Sequence, residues 1–180
     1  MSAYETQNLL LTGRPGSGKT TVIMSAIRGA SGAGGFYTGE LREGGERVGF
    51  SITTLDGRTG TLASVGLASP VKVSRYGVNV RDVDEVAADA VERAIRDPSV
   101  ALIVIDEIGA MEIASVRFRE AVRAALDSPK PVLGTIQVKQ NQFLDLVKER
   151  PDVTVVRVDS SSRERLPAQV RDWVERITST

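Results

Sequence analysis

Gly13-Arg14-Pro15-Gly16-Ser17-Gly18-Lys19-Thr20, with Thr21 directly after it, is the stretch on which the fold turns. It fits the Walker A pattern G-x-x-x-x-G-K-[ST], in which each residue type has a mechanical task. Glycines let successive backbone N–H groups point inward as a nest, and the helix that follows adds its positive end. The Lys19 ammonium is then placed to neutralise β- and γ-phosphates, and the Thr20 hydroxyl to ligate magnesium. The flanks agree. Asn8–Thr12 is a short apolar run suited to a buried parallel strand, and Thr20–Arg28 carries Val22, Ile23, Ala26 and Ile27 at helical spacing. The competing reading is a glycine-rich turn with an exposed lysine. It leaves the strand–loop–helix context unexplained, and shuffling this composition reproduces the pattern in only roughly 0.7% of chains.

A second motif stands further along. Val100–Ile105 is wholly apolar and runs into Asp106-Glu107, so that Leu102, Ile103, Val104, Ile105, Asp106, Glu107, Ile108 and Gly109 read as a Walker B segment. Ligands of open parallel sheets bind outside the carboxyl ends of the strands, which brings these carboxylates to the phosphates. Asp106 is expected to hold magnesium, and Glu107 to position or deprotonate an attacking water. The alternative is a pair of solvated acids at a helix start. Asp106-Glu107-Ile108-Gly109 also spells D-x-x-G, but no lysine lies in the N-K-x-D that reads guanine, and no LSGGQ-type signature is present.

Between the motifs, Gly44-Gly45 and Asp56-Gly57 are turn signals that separate Phe36–Arg42, Arg47–Leu55 and Arg58–Val65, predicting an antiparallel meander. Val71–Val73 and Gly77–Val80 are candidate short strands. Asp82 with Glu85 resembles a capping box opening a helix that carries Val83, Val86, Ala87, Ala90 and Ala94 and stops at Pro98. Later come a helix through Phe118, Val122, Ala125 and Leu126, a strand at Pro131–Ile136, a helix at Gln142–Lys148, a strand at Val153–Val158, and a helix bearing Leu166, Val170, Trp173, Val174 and Ile177. This rhythm predicts an α/β fold: a mostly parallel sheet flanked by helices, with the meander inserted early.

Composition narrows the chemistry. A length of 180 residues suits one domain spanning 1–180. The chain has no Cys and no His, which removes disulfides, thiol nucleophiles, Cys-based zinc sites and imidazole catalysis. A metal would be a hard, oxygen-liganded ion such as Mg2+. The 23 Lys+Arg balance 23 Asp+Glu, so nothing global points to nucleic acid, although a local patch stays open. The longest apolar run falls far short of a membrane span, and the polar residues before Gly13 do not form a leader peptide, so the chain reads as cytoplasmic.

Further segments stand in a particular order. They are Gly35-Phe36-Tyr37-Thr38 with Glu40 and Arg42, then Gly45, Arg47, Gly49-Phe50, Leu55, Gly57 and Gly60, then Tyr76-Gly77-Val78. Asp106-Glu107-Ile108-Gly109-Ala110-Met111-Glu112, Leu133-Gly134-Thr135-Ile136 and Arg163 complete the set. With the two Walker motifs they resemble, over nearly the whole chain, the THEP-type nucleoside triphosphatase family, whose animal members are called cancer-related nucleoside triphosphatases. The resemblance implies a RecA-like P-loop fold of the additional-strand, catalytic-glutamate class. It also implies magnesium-dependent hydrolysis of ATP, GTP and other nucleoside triphosphates with loose base selectivity. Ala110 stands where relatives often carry Lys, and Ser162 precedes Arg163 where relatives often show Asn.

Arg outnumbers Lys 18 to 5, and most of these arginines suit solvated faces. Arg42 and Arg47 flank Gly44-Gly45, and one of them is a candidate cis arginine finger. The alternative is a hairpin ion pair with Glu40, Glu43 or Glu46. Thr135 and Gln137 end a strand and are candidate sensors of the γ-phosphate or of water. Phe36, Phe50, Phe118 and Trp173 fit apolar faces better than base platforms, while Tyr37 and Tyr76 stay open. The leading expectation is hydrolysis of ATP, GTP, CTP and UTP to diphosphate and phosphate. A small P-loop kinase and a nucleotide-gated switch are the alternatives, and the oligomeric state is left open.

Overall fold

Leu9, Leu10 and Leu11 all lie at 0% exposure, a pattern for a strand covered on both faces rather than one. In the computed structural model, which describes residues 4–179, alternate residues of that run point to opposite layers. Met1–Ala3 and Thr180, which the expected 1–180 span and part of the leader-peptide reading include, lie outside the described residues. Leu10 joins Ile103, Ile105 and Val132 in one hydrophobic cluster, and Leu9 and Leu11 join Leu102, Val104 and Leu133 in the other. The period-2 geometry of strands thus divides three neighbouring strands between two helical layers.

The strands are β1 (Asn8–Thr12), β2 (Ala33–Glu43), β3 (Glu46–Thr54), β4 (Thr59–Ser64), β5 (Lys72–Val73), β6 (Tyr76–Val78), β7 (Leu102–Ile108), β8 (Val132–Ile136) and β9 (Val153–Arg157). They form one sheet in the order β5-β6-β4-β3-β2-β7-β8-β1-β9. From β2 to β9 every pairing is parallel, and from β2 to β5 every pairing is antiparallel. The expected meander is therefore an extension of the parallel sheet itself. It is larger than expected, since β5 and β6 continue it.

β2 is the shared strand: Ala33–Phe36 pair with Leu102–Ile105 of β7, and from Phe36 onward it pairs with β3. β8 lies between β1 and β7, the additional strand that the resemblance implied.

One layer is made by α1 (Lys19–Ala26) and α6 (Leu166–Thr178), whose Ile23, Val170 and Trp173 are fully buried. Trp173 also donates its indole N–H to the Thr6 carbonyl at 3.1 Å, so its one polar atom is satisfied. The other layer holds a helical stretch at 80–96, α4 (Val116–Asp127) and α5 (Gln142–Lys148). The 80–96 stretch consists of α2 (Val80–Asp82), a π-helical run Val83–Ala88 and α3 (Asp89–Arg96). Its start corrects the expected capping box. Asn79 is the cap, its side chain accepting the Asp82 N–H at 3.2 Å. Asp82 instead accepts the Thr61 N–H of β4 at 2.7 Å, and Glu85 pairs with Arg81 at 3.1 Å. An acid facing a neighbouring strand meets a long-range donor that a local pattern cannot reveal.

Phe36, at 0% exposure, sits where the two halves of the sheet meet and packs edge-on to Phe118 with ring centres 5.9 Å apart. Phe36→Ala is expected to lower unfolding stability by about 3–5 kcal/mol, read from urea unfolding monitored by far-UV circular dichroism. A loss under about 1 kcal/mol would show that the junction does not rest on this ring.

Candidate active site

The loop between β1 and α1 takes the nest shape that its glycines permit. Gly13, Gly16 and Gly18 have φ of 153°, 77° and 97°, values that other residues rarely adopt. A Cβ on Gly13 would also stand 2.6 Å from the Val158 carbonyl oxygen, so the chain leaving β9 closes directly against the loop. The Lys19 ammonium lies over the loop, donating to the carbonyls of Gly13 at 3.0 Å and Arg14 at 3.2 Å. Arg14, Pro15 and Gly16 are exposed at the rim, as is Thr21 on the first turn of α1. Ser17 Oγ is buried without a hydrogen-bond partner among the described residues.

Asp106 stands beside this loop at 1% exposure. One of its oxygens accepts the Thr20 hydroxyl at 2.7 Å, and the other accepts the Thr135 hydroxyl at 2.6 Å. The Walker A and Walker B residues named from sequence are thus in direct contact, and Thr135 joins them. Burial pushes the Asp106 carboxyl above its ordinary range. The two hydroxyls, the Lys19 charge and the Thr38 backbone pull against that shift. Glu107 is raised too, chiefly by burial and further by Asp106, with Lys19 and the Gln137 amide opposing.

β7 runs to Ile108 rather than stopping at Ile105, with a register irregularity against β8 between those two residues and a cis peptide at Asp106–Glu107. Gln137 is positioned here by two backbone bonds. Its N–H donates to Ile108 O at 3.1 Å, and its side-chain Oε1 accepts the Ala110 N–H at 3.0 Å. Ala110 therefore serves through its backbone. The other end of the amide faces Glu107 across Gly109, where a Cβ would stand 2.7 Å from Glu107 Oε1 and 2.9 Å from Gln137 Nε2. Gly109 is needed for that close approach.

Other candidates lie in different surroundings. Arg42 and Arg47 both form ion pairs with Glu40, at 2.7 and 3.0 Å, which is the hairpin alternative. Arg47 also donates to Tyr76 Oη at 3.1 Å and covers the Phe50 ring. Tyr76, at 4% exposure, belongs to the packing of the antiparallel half. Arg163 is exposed on the loop after β9, and the buried Ser162 before it is occupied within that loop by Asp159 and the Arg157 carbonyl.

Two residues of the site escaped the site reading although both stand in the quoted segments. Thr38 offers its backbone to Asp106. Glu112, at 3% exposure, is a third carboxyl of the same region, held well above its ordinary range first by burial and then by Glu107.

Two clefts of about 530 and 770 Å3 lie around Ser31, Gly32 and Ser99, where the chain enters β2 and β7 at the opposite end of the strands, and neither reaches the phosphate loop. Among the described residues no helix is long and apolar enough to cross a membrane.

A phosphate loop and an acidic strand on either side of one additional strand define a P-loop nucleoside-triphosphatase fold. A family model described as NTPase matches residues 8–171, and the chain belongs to that family. It is 45% identical over 158 residues to the Nucleoside-triphosphatase THEP1 of Thermotoga maritima, covering 88% of this chain and 90% of that one. It is 39% identical over 175 residues to the human Cancer-related nucleoside-triphosphatase, covering 89% and 92%. Its fold matches the crystal structure of THEP1 from Aquifex aeolicus with a TM-score of 0.83 at 31% identity, covering 93% of this chain and 99% of that one.

Two measurements test the site. Gly109→Ala meets only the mobile ends of Glu107 and Gln137, so the variant is expected to fold while its kcat for triphosphate hydrolysis falls about tenfold. An unchanged kcat would show that the close approach is dispensable. Glu112 supplies a pH test. Its raised pKa means that the folded state holds the proton more tightly than the unfolded state, so stability falls as pH rises above the unfolded carboxyl's pKa. Glu112→Gln should therefore match the parent near pH 4 and become the more stable as pH rises. The gap should widen by up to about 1.4 kcal/mol per pH unit until the folded pKa is passed. A pH-independent difference in chemical denaturation would refute this.

Proposed function

We propose that the chain hydrolyses nucleoside 5′-triphosphates to diphosphate and phosphate, magnesium-dependently and with little selection among ATP, GTP, CTP and UTP. The observation that carries the reading is the contact of Thr20 and Asp106 at 2.7 Å, with Glu107 next in the chain and Lys19 over the loop. The names of the relatives agree with the reaction. The single P-loop domain spans the residues matched by the family model and the short flanks beyond them.

The loop amides of residues 13–20 and the Lys19 ammonium bind the β- and γ-phosphates in this reading. Lys19 exchanges its two carbonyl partners for phosphate oxygens. Thr20 and Asp106 are the residues that fit Mg2+. Both present oxygen donors, and among the described residues no group of three or more acids is arranged to hold a metal ion by itself. An ion of that kind takes one or two protein oxygens and completes its shell from phosphate and water. When bound, Mg2+ supplies charge neutralisation at the phosphate oxygens.

Glu107 orients the attacking water and accepts its proton as the water oxygen bonds to the γ-phosphorus and the bond from that phosphorus to the β–γ bridging oxygen breaks, releasing the diphosphate. Its raised pKa makes it a better proton acceptor than an exposed carboxylate. Gln137 and Gly109 fix its orientation, and Thr135 fixes that of Asp106. In this reading Arg163, exposed on the loop after β9, is the residue that meets the base.

Phosphate release from ATP, GTP, CTP and UTP in Mg2+ tests the proposal directly. Turnover of all four is expected, with kcat cut about 100-fold or more in Glu107→Gln while nucleotide binding persists. Lys19→Ala should lose triphosphate affinity. Release confined to one nucleotide would overturn the broad specificity, and undiminished turnover in Glu107→Gln would overturn the role of Glu107.

A further inference from the structure

A polyphosphate nearing this site meets an adverse balance of charge. Asp106, Glu107 and Glu112 stand there against one lysine, Lys19. The chain as a whole offers no pull, since its 23 Lys+Arg equal its 23 Asp+Glu. Attraction toward the loop must therefore come from where the cations are placed.

That placement is uneven. Arg14 on the rim of the loop, Arg157 at the end of β9, and Arg163 and Arg165 just beyond it are all exposed. Together with Asp159 and Glu164 they make a segment of four arginines against two acids. None of the four forms an ion pair among the described residues, whereas eight of the other fourteen arginines do. Asp159 is engaged within its own loop, where Oδ1 accepts the N–H groups of Ser161 at 2.9 Å and Ser162 at 3.1 Å and the Ser161 hydroxyl at 2.7 Å. Between α3 and α4 the pattern is the reverse. Arg58 and Arg93 share Asp89 at 2.8 and 2.7 Å, and Arg117 takes Glu92 at 2.7 Å. Close pairing cancels the far field of those arginines and leaves it standing beside the phosphate loop.

Strand register brings this charge to the loop. Arg157 is the partner of Thr12, the residue before Gly13, and neighbouring strands lie about 4.8 Å apart. Val158 donates its N–H to the Thr12 carbonyl at 2.7 Å, and its own carbonyl closes against Gly13. A guanidinium at position 157 therefore stays within roughly one Debye length of the phosphate cradle, about 10 Å at 0.1 M salt. Attraction over that distance needs no contact.

We propose that Arg14, Arg157, Arg163 and Arg165 form a steering surface that draws the polyphosphate tail of the substrate to the loop, so that ligands are selected on arrival by the charge of the tail and not by the base. The proposal rests on the reading of residues 13–20 as the phosphate site. Arg157 governs arrival alone: docked phosphates are held by the loop amides and Lys19, so departure and chemistry do not depend on it.

Stopped-flow association and dissociation of ATP carrying a ribose-linked fluorophore, in Mg2+ and over a range of salt, tests this with Arg157→Gln, Arg157→Glu, Arg96→Glu and Lys19→Ala. Arg96 is an exposed arginine at the opposite end of the strands, also without an ion pair among the described residues, and its reversal makes the same change in net charge. At about 0.02 M salt, association is expected to slow about twofold in Arg157→Gln and about fivefold in Arg157→Glu, and to merge with the parent near 0.5 M. Dissociation and kcat should stay within about twofold of the parent, and Arg96→Glu should associate at the parent rate. Labelled ADP should show a shallower dependence on salt than labelled ATP. If Arg157→Glu fails to fold, Arg157→Gln carries the same test.

Parent-like association of both Arg157 variants at low salt, with Lys19→Ala unable to hold nucleotide, overturns the steering surface and leaves the phosphate loop standing. A defect that persists at high salt or lies in dissociation also overturns it, because it assigns Arg157 to direct contact. So does equal slowing by Arg96→Glu, which assigns the effect to net charge. Nucleotide binding undiminished in Lys19→Ala overturns the reading on which the proposal rests.

Discussion

The two hydroxyls that Asp106 accepts hold the site together. One comes from Thr20 at the start of α1 and the other from Thr135 near the end of β8, so a single buried carboxylate joins the phosphate loop, the acidic strand and the strand between them. Those bonds exist only because β8 lies between β1 and β7. Alternating burial in the same strands sends Leu9 and Leu11 to one layer and Leu10 to the other, so helices cover both faces beside the site. Removing either hydroxyl takes a donor from a buried carboxylate, and buried polar groups tolerate such losses poorly.

Charge is distributed unevenly across the molecule. On the surface, acids are paired with arginines and their pKa values are lowered, as with Glu92 beside Arg117 and Asp152 beside Arg150. In the site the trend reverses: Asp106, Glu107 and Glu112 are all raised, with burial the first cause in each. Lys19 is the cation acting on the first two, and none acts on the third. A cluster of acids kept short of cations is poor structural engineering, and strained titration of this kind gathers at functional sites. The local electrostatics therefore mark the same place as the motifs, by an independent route.

Much of this was legible in the chain itself. The strand–loop–helix around Gly13–Thr20 and the apolar run into Asp106 place the phosphate site, because both signals are local and their spacing is mechanical. The glycine pairs likewise marked the hairpins of the antiparallel half. What stayed hidden depended on distant partners. Asp82 read as a helix cap and proved to be an acceptor for Thr61 on another strand. Arg42 and Arg47 were equally consistent with a finger or a hairpin ion pair until Glu40 was seen between them. Gln137 was a candidate sensor of phosphate or water, and the bond of its carbonyl oxygen to the Ala110 N–H is a contact that the strand end alone does not reveal. Glu112 stood in a quoted segment without a role, since burial cannot be read from a single polar position.

The strand that carries the phosphate loop is also the one most dependent on the far end of the chain. Leu9 pairs with Leu133 on one side and with Thr154 on the other, so β1 has no neighbour until β8 and β9 are available. The antiparallel half pairs segments that are adjacent in sequence. During synthesis it can therefore form from local contacts while β1, made first, waits unpaired. An emerging chain thus has the partners of its hairpins long before the strand that leads into the phosphate loop has either of its neighbours.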